Sequence, residues 1–442
     1  MNRQELYYNI VIPFSRLLAE MQYNGIRVDL NKIKELKNEF EKELVFYEKE
    51  IFNITGRFNI KSSQQLAKKL YEDLKIPNYI IDVTKNYKTG QWEEHKDVFV
   101  TEDGAPSTKV ECLAKILVVY KQPIIEHILH YRQLQKLLST YINGIYEHIS
   151  HQNRVHPSWF ALTAGARINC SKPNVAQIPS RSKRGRRIKE IFIPDEGKSF
   201  IEADFSQMEL RFMAWFSNDP VMMSAYKEGK DLHALTTSNI KQFNLTYEEA
   251  LKSPKRECGK ETNFLMTYIG GYFALQDSFI KRRMFYSAKE CDSFIEAFMD
   301  KYKYIRNLHR NVENAIVSKG YVENIFGRRR YFQFKKWDYD NGRLKGKVLS
   351  KAVREGVSHV IQGSSSGDYA SMKAVGANKL VKEFNGRIWN DLYDGLFFEV
   401  PNDKVENFKP ILKEYMERPE HPITIELPID ISKAGKSWGD LK

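Results

Sequence analysis

The stretch IEADFSQMELRFMAWF, residues 201–216, constrains this chain most. Ile201 and Ala203 lead an apolar, strand-like run up to Asp204, and the pattern then turns helical. A fold in which a buried strand feeds a helix, with an acid at the junction, follows from that order. Such an acid can cap the helix, or it can hold a cation over a cleft. Glu209 stands five residues further on. This stretch alone leaves both readings open, and two others bear on it.

In RECGKETNFLMTYIGG, residues 256–271, Arg256, Lys260, Phe264 and Tyr268 recur every fourth position. Four helical residues advance about 400°, so the row drifts about 40° per step and forms one stripe about 18 Å long. The stripe is cationic at its start and aromatic at its end. A nucleotide suits that face, with phosphates on the cations and the base on the rings. A solvated amphipathic helix whose cations snorkel past an aromatic seam would give the same row. In LYDGLFFEV, residues 392–400, Asp394 falls at a Tyr-Asp-Gly turn between two β-prone runs, as in a hairpin. A second carboxylate on a rigid strand turn could join Asp204 in a two-metal site, where ions about 3.5–4 Å apart serve in-line phosphoryl transfer.

These segments resemble those of the family A DNA polymerases, the bacterial DNA polymerase I group. DFSQMELR is similar to that family's first palm motif, the 256–268 row to its fingers helix, and YDG to a variant of its His-Asp-Glu palm motif. FNIKSSQQLAKKLYEDL, GAPSTKVECL, LQKLLSTY, PNVAQIPSR, GRRIKEIF, EGKDLHALT, FGRRRYF and REGVSHVIQG also resemble family segments, in family order, from about Ile12 to the end. PNVAQIPSR is closer to phage members, which points to a viral source.

The resemblance implies an α+β right-hand polymerase fold with an antiparallel palm sheet, helical fingers and a helical thumb. It implies a lead-in belonging to the palm over 1–30, thumb over 31–150, palm with the first metal motif over 151–220, fingers over 221–320 and palm with the second motif over 321–442. The implied reaction is template-directed DNA synthesis without a proofreading exonuclease in this chain. Asp204 and Asp394, with Phe205 beside them, are the implied site for two Mg²⁺ ions, with Mn²⁺ able to substitute. Arg256, Lys260, His233 and Arg181 would bind phosphates, and Lys260 would protonate the departing pyrophosphate. Phe264 and Tyr268 would pack on the nascent base pair, and Gln207 belongs to the same nucleotide site. Glu209 would block the sugar 2′ position, which separates this reading from a single-subunit RNA polymerase. Arg167, Arg354, Gln362 and Tyr393 would touch primer-template DNA. A reverse transcriptase proper would carry paired aspartates, which LYDGL lacks. The family's usual Glu is Gly395 here, so a catalytically impaired nucleic-acid clamp is the competing class. Two reasons for that glycine suggest themselves: a turn that needs positive φ, or a site short of one charge. TAGARIN also departs from the family, with Gly165-Ala166-Arg167 where Thr-Gly-Arg is usual.

Composition agrees with a polyanionic partner. The formal net charge is +13 and aromatic residues make up 13% of the chain, the pairing of cations and stacking surfaces that nucleic acid needs. At 442 residues, two or three subdomains are expected. No apolar run of membrane-spanning length or signal-peptide core is present, and Cys112, Cys170, Cys258 and Cys291 form no CxxC pair. A cytoplasmic monomer with reduced thiols is expected, in the host cytoplasm if viral, with processivity or replisome proteins as possible partners.

Along the chain, residues 1–28 read as a short apolar lead-in with a turn at Asn24-Gly25. Asp29 caps a long helix on which Ile33, Leu36, Phe40, Leu44, Tyr47 and Ile51 share a face, and Gly56 ends it. Ser62 or Ser63 caps another helix to Leu74, residues 76–106 read as a loop or small hairpin, and helices return from Ser107 to Ile149. The basic run Arg181–Lys189 reads as a solvated surface, or as a phosphate contact at Arg181. Lys335–Lys347 reads as a loop, Arg354, Ser358 and Gln362 share a helix face, and 403–418 is a final amphipathic helix.

Overall fold

The computed structural model describes residues 2–86, 88–160, 167–179 and 182–441. The expected phosphate contact Arg181 and the altered Gly165-Ala166 pair lie outside the described residues.

One antiparallel sheet organises the molecule. Its strands run in the order Arg387–Leu392, Gly395–Pro401, Lys198–Phe205, Ile429–Ile431. Phe200, Ile201, Glu202 and Ala203 are all buried, so this strand is covered on both faces, which is why it reads as a run rather than a clean alternation. Phe200 stacks on Trp389 at 4.2 Å, and Trp438 packs edge-on against both Trp389 and Phe397. The two-residue period still places Glu202 and Asp204 on one face. The main hydrophobic core joins this sheet to the N-terminal helices and to the long helical run Gly346–Gln362, Gly363–Tyr369 and Ala370–Glu383.

Two satellite cores flank it. One gathers Ile51, Leu66, Leu113, Ile125 and Ile128 beneath the helix Leu30–Thr55. Asp29 caps that helix, accepting from Asn31 and Lys32 backbone N–H at 2.8 and 3.1 Å, and Gly56 closes it at φ +69°. Ser62 supplies the next cap. The other core, with Phe243, Leu275, Phe279 and Phe294, lies under the helix Arg256–Thr267. Residues 76–106 do contain a hairpin, Tyr79–Lys85 with Trp92–Val98. It leans on the second satellite: Lys85 meets Asp292 at 2.9 Å, and Asp82 accepts the Ala288 N–H at 3.2 Å.

Three local expectations are corrected. The N-terminal lead-in is helical from Arg3 to Asn24, because Leu6, Ile10, Phe14, Leu17, Leu18 and Met21 make a buried stripe at three- and four-residue spacing. Residues 335–347 are not simply a loop but hold a short hairpin, Tyr339–Asp340 with Arg343–Leu344. The basic run is only in part a solvated surface. Ser182 caps a helix, Lys183–Lys189, whose Arg184 binds Glu43 and whose Arg187 binds Glu35 and Glu39 on the long helix. Lys189 is buried over the Trp438 ring at 4.4 Å. Acids on the distant helix, invisible to a local reading, pair with Arg184 and Arg187, while Lys183 and Arg186 stay exposed.

Candidate active site

The sheet brings the two aspartates together. Asp204 is the penultimate residue of its strand and pairs across the ladder with Gly395 on one side and Asp430 on the other. Asp394 occupies the turn just before Gly395, and its carbonyl accepts the Phe205 N–H at 2.9 Å. Burial, then the like charge of Asp204, then that of Glu209 push the Asp394 carboxyl up to about 7. The fully buried Asp391 in the same hairpin is likewise pushed up to about 7, mainly by desolvation. Placing two acids where each disfavours ionisation of the other costs stability, and a bound cation would relieve that cost.

The turn does not use Gly395 for positive φ, as one sequence reading had it. Tyr393 takes the left-handed conformation, at φ +69°, and Gly395 is not in that region. What Gly395 provides is room: a Cβ there would stand 3.0 Å from Asp204 Oδ1.

Lys260 lines the same cleft of about 640 Å³ as the aspartates, together with Glu202, Arg186, Lys189 and Arg282. Lys260 is about one-third exposed, with Glu257 3.9 Å away. Arg256, one turn earlier, forms a fork with Asp231, Nε to Oδ1 at 3.1 Å and Nη2 to Oδ2 at 2.6 Å. Burial opposes ionisation of Asp231, but this fork and the Ala234 N–H hold its carboxyl below the usual range. Phe264 continues the stripe with an exposed ring. Tyr268 does not: the helix ends at Thr267, and Tyr268, at its C-cap, turns its hydroxyl to Glu209. The four-residue row is thus a three-residue row followed by a cap that dips into the sheet region.

His233 is 3% exposed, and burial pushes its imidazole down to about 4, so it is neutral at pH 7. Asn263 donates to its Nδ1 at 3.0 Å, which leaves the ring proton on Nε2. It can offer a phosphate a hydrogen bond but no charge. Its helix packs close to the Lys260 helix because residue 259 is glycine; a Cβ there would fall 2.2 Å from the His233 carbonyl oxygen.

Glu209 sits in the first turn of the helix Met208–Ser217 and is tightly held. Arg167 and the Tyr268 hydroxyl donate to it, as does Ser366 Oγ at 3.0 Å. Arg167 also reaches Ser366 at 3.1 Å and lies over the Tyr393 ring at 4.7 Å. A guanidinium only donates, so Gln362 turns its amide oxygen toward it, accepting at 2.8 and 2.9 Å. Gln207 begins the same helix at φ +54° and accepts from the Tyr226 hydroxyl at 3.3 Å. Arg354 is exposed on the helix that carries Gln362, two turns away. Phe205 is apolar and buried, so only its backbone carbonyl could serve a cation.

Asp204, Asp394 and Lys260 therefore converge on one cleft, while Glu209, Arg167, Tyr268, Gln362 and Tyr393 form an adjoining network. Sequence reasoning missed Glu202 and Ser366. The two-residue strand period could have found Glu202, whereas nothing local marks Ser366 as a partner of Glu209.

The arrangement fits a divalent cation of the magnesium type. Such ions take one or two carboxylates and complete their shell with water and substrate phosphates rather than a protein cage. No group of three or more His, Cys, Asp or Glu that could hold a metal ion is found among the described residues.

The sequence profile of DNA polymerase family A matches residues 30–440. The thermostable DNA polymerase I of Thermus filiformis is 30% identical over 442 residues, covering 99% of this chain and 48% of the relative. DNA polymerase I of Bacillus subtilis (strain 168) is 29% identical over 444 residues, covering 99% and 46%. The chain thus spans about half the length of the curated relatives it matches. These relatives are bacterial, whereas PNVAQIPSR had pointed to phage members. The POL domain of Pol1 from M. smegmatis, solved in complex with DNA primer-template and dNTP, superposes with a TM-score of 0.82 at 26% identity, covering 99% of this chain and 71% of that one.

Proposed function

The chain belongs to DNA polymerase family A, and from that premise we propose that it adds deoxynucleotides to a primer 3′-hydroxyl under the direction of a template. The observation that carries this reading is the convergence of Asp394, Asp204 and Lys260 on one cleft. The primer-template and dNTP held by the M. smegmatis domain are the proposed partners here.

Asp204 and Asp394 are the residues that would hold Mg²⁺. When bound, the ions supply Lewis-acid stabilisation of the attacking and leaving oxygens. Lys260 lines the cleft with the aspartates and would neutralise, and then protonate, the departing pyrophosphate. Arg256, oriented by Asp231, and the neutral His233 bind phosphate oxygens, the first by charge and the second through Nε2–H. The exposed ring of Phe264 offers a stacking face for the base. Glu209, fixed by Tyr268, Arg167 and Ser366, walls the sugar and excludes a 2′-hydroxyl. Arg167 and Gln362 read minor-groove acceptors, which all correct pairs present alike. Residues 31–150, with their exposed lysines, grip the duplex as a thumb.

Primer extension on a labelled hairpin tests this. Wild type is expected to add only the templated nucleotide. Asp204→Ala and Asp394→Ala are each expected to slow addition by about 10³-fold or more, since several kcal/mol of stabilisation are lost at roughly tenfold per 1.4 kcal/mol. Duplex binding should stay nearly intact, because affinity comes from many phosphate contacts. Near-wild-type extension by either variant refutes the site.

A further inference from the structure

Glu202 stands two residues before Asp204 and so shares its face of the sheet. Its side chain is 6% exposed, yet it lines the cleft with Asp204, Asp394 and Lys260. A Cβ on Gly395 would meet Asp204 Oδ1 at 3.0 Å and Glu202 Oε1 at 3.7 Å, the two nearest atoms it finds. The space that a side chain at 395 would enter is therefore already bordered by two carboxylates from the neighbouring strand. Gly395 is not there for its backbone, since its φ lies outside the left-handed region. A larger residue would press on Asp204.

We infer that Glu202 is a positioning residue of the nucleotide-addition site, its negative charge strengthening the hold of the aspartate pair on a divalent cation. The inference rests on the reading of the cleft given above. Glu202 is not assigned as a ligand, because no three acids among the described residues meet in ligand geometry. It acts by charge. A cation held at Asp204 and Asp394 would sit in the cleft that Glu202 lines, and one extra negative charge is strongly felt at short range in a partly desolvated cleft. Lys189 and Arg186 line the same cleft, so the competing role for Glu202 is purely structural, as a counter-charge to those cations.

The test compares wild type, Glu202→Gln and Glu202→Asp. Mn²⁺ binding is read by electron paramagnetic resonance in the complex with a dideoxy-terminated hairpin, and Mg²⁺ titrations of extension are run beside it. Glu202→Gln is expected to weaken Mn²⁺ binding about tenfold and to raise the half-saturating Mg²⁺ by a similar factor, with the rate at saturating Mg²⁺ and the melting temperature little changed. Glu202→Asp, which keeps the charge, is expected to stay within about twofold of wild type in Mn²⁺ binding. Unchanged Mn²⁺ affinity in Glu202→Gln overturns the inference, as does a lowered melting temperature with binding intact, which would mark a structural counter-charge.

Gly395→Glu adds a check that reads in opposite directions. In the wild-type background it should reduce extension, because the new carboxylate presses on Asp204 and repels that of Glu202. In the Glu202→Gln background it should recover part of the lost Mn²⁺ affinity. Equal harm in both backgrounds shows the two positions to be independent and overturns the inference. If wild type itself fails to extend the hairpin, the polymerase reading falls, while the Mn²⁺ comparison still decides the role of Glu202.

Discussion

Asp394 and Glu209 are carboxylates of one cleft region held in opposite ways. Asp394 is pressed by burial and by the charges of Asp204 and Glu209, and its acid form persists up to about pH 7. Glu209 is surrounded by donors, from Arg167, Tyr268 and Ser366. A carboxylate satisfied by its own protein is a fixed wall; one set against another carboxylate is a place for a cation. The proposed steric element and the proposed cation site thus differ in what surrounds each acid.

Three substitutions probe that contrast, in decreasing order of expected effect. Lys260→Ala, which removes the cation in the cleft of the repelled pair, is expected to slow single-turnover addition about 10²-fold while changing nucleotide affinity far less, the usual scale for a lost general acid. Equal losses in rate and affinity would make Lys260 a binding residue only. Glu209→Ala, which removes the wall, is expected to lower discrimination against ribonucleotides by about 10- to 100-fold, the scale at which one small group is sensed in a pocket. Unchanged discrimination would take Glu209 out of that role. Arg184→Ala, which breaks a cation pairing remote from both acids, is expected to cost about 1 kcal/mol of stability in a denaturant titration and to leave extension unchanged. A fall in nucleotide affinity in that variant would show that the Lys183–Lys189 helix serves substrate as well as scaffold.

The sequence was most legible where chemistry and local pattern coincide. Asp204 at a strand end and Asp394 at a hairpin turn could be placed from period and turn residues, and the sheet then brought them together as antiparallel neighbours. The Asp29 cap and the stripe on Leu30–Thr55 followed from spacing alone. What was hidden depended on distant partners. Arg184 and Arg187 looked like surface charge because Glu35, Glu39 and Glu43 lie about 140–150 positions away in sequence. Tyr268 left its row because Glu209, 59 positions away, draws its hydroxyl. The positive-φ reading of Gly395 failed because local reasoning weighs φ, whereas the nearest constraint is an oxygen on the neighbouring strand.

The central claim is that a repelled aspartate pair holds the cation on which nucleotide addition depends. The Mg²⁺ needed for half-maximal extension, measured from pH 5.5 to 8.5, tests it most directly. Asp394 has its folded-state acid raised from 3.8 to about 7, so below about pH 7 a proton competes with the cation. For the same reason stability is lost as pH rises from about 3.8 to about 7, and bound cation offsets that loss. The half-saturating Mg²⁺ should be flat above about pH 7 and rise toward tenfold per unit below it, as expected when a cation must displace a single proton. A Mg²⁺ requirement that does not change with pH across this range would contradict the account.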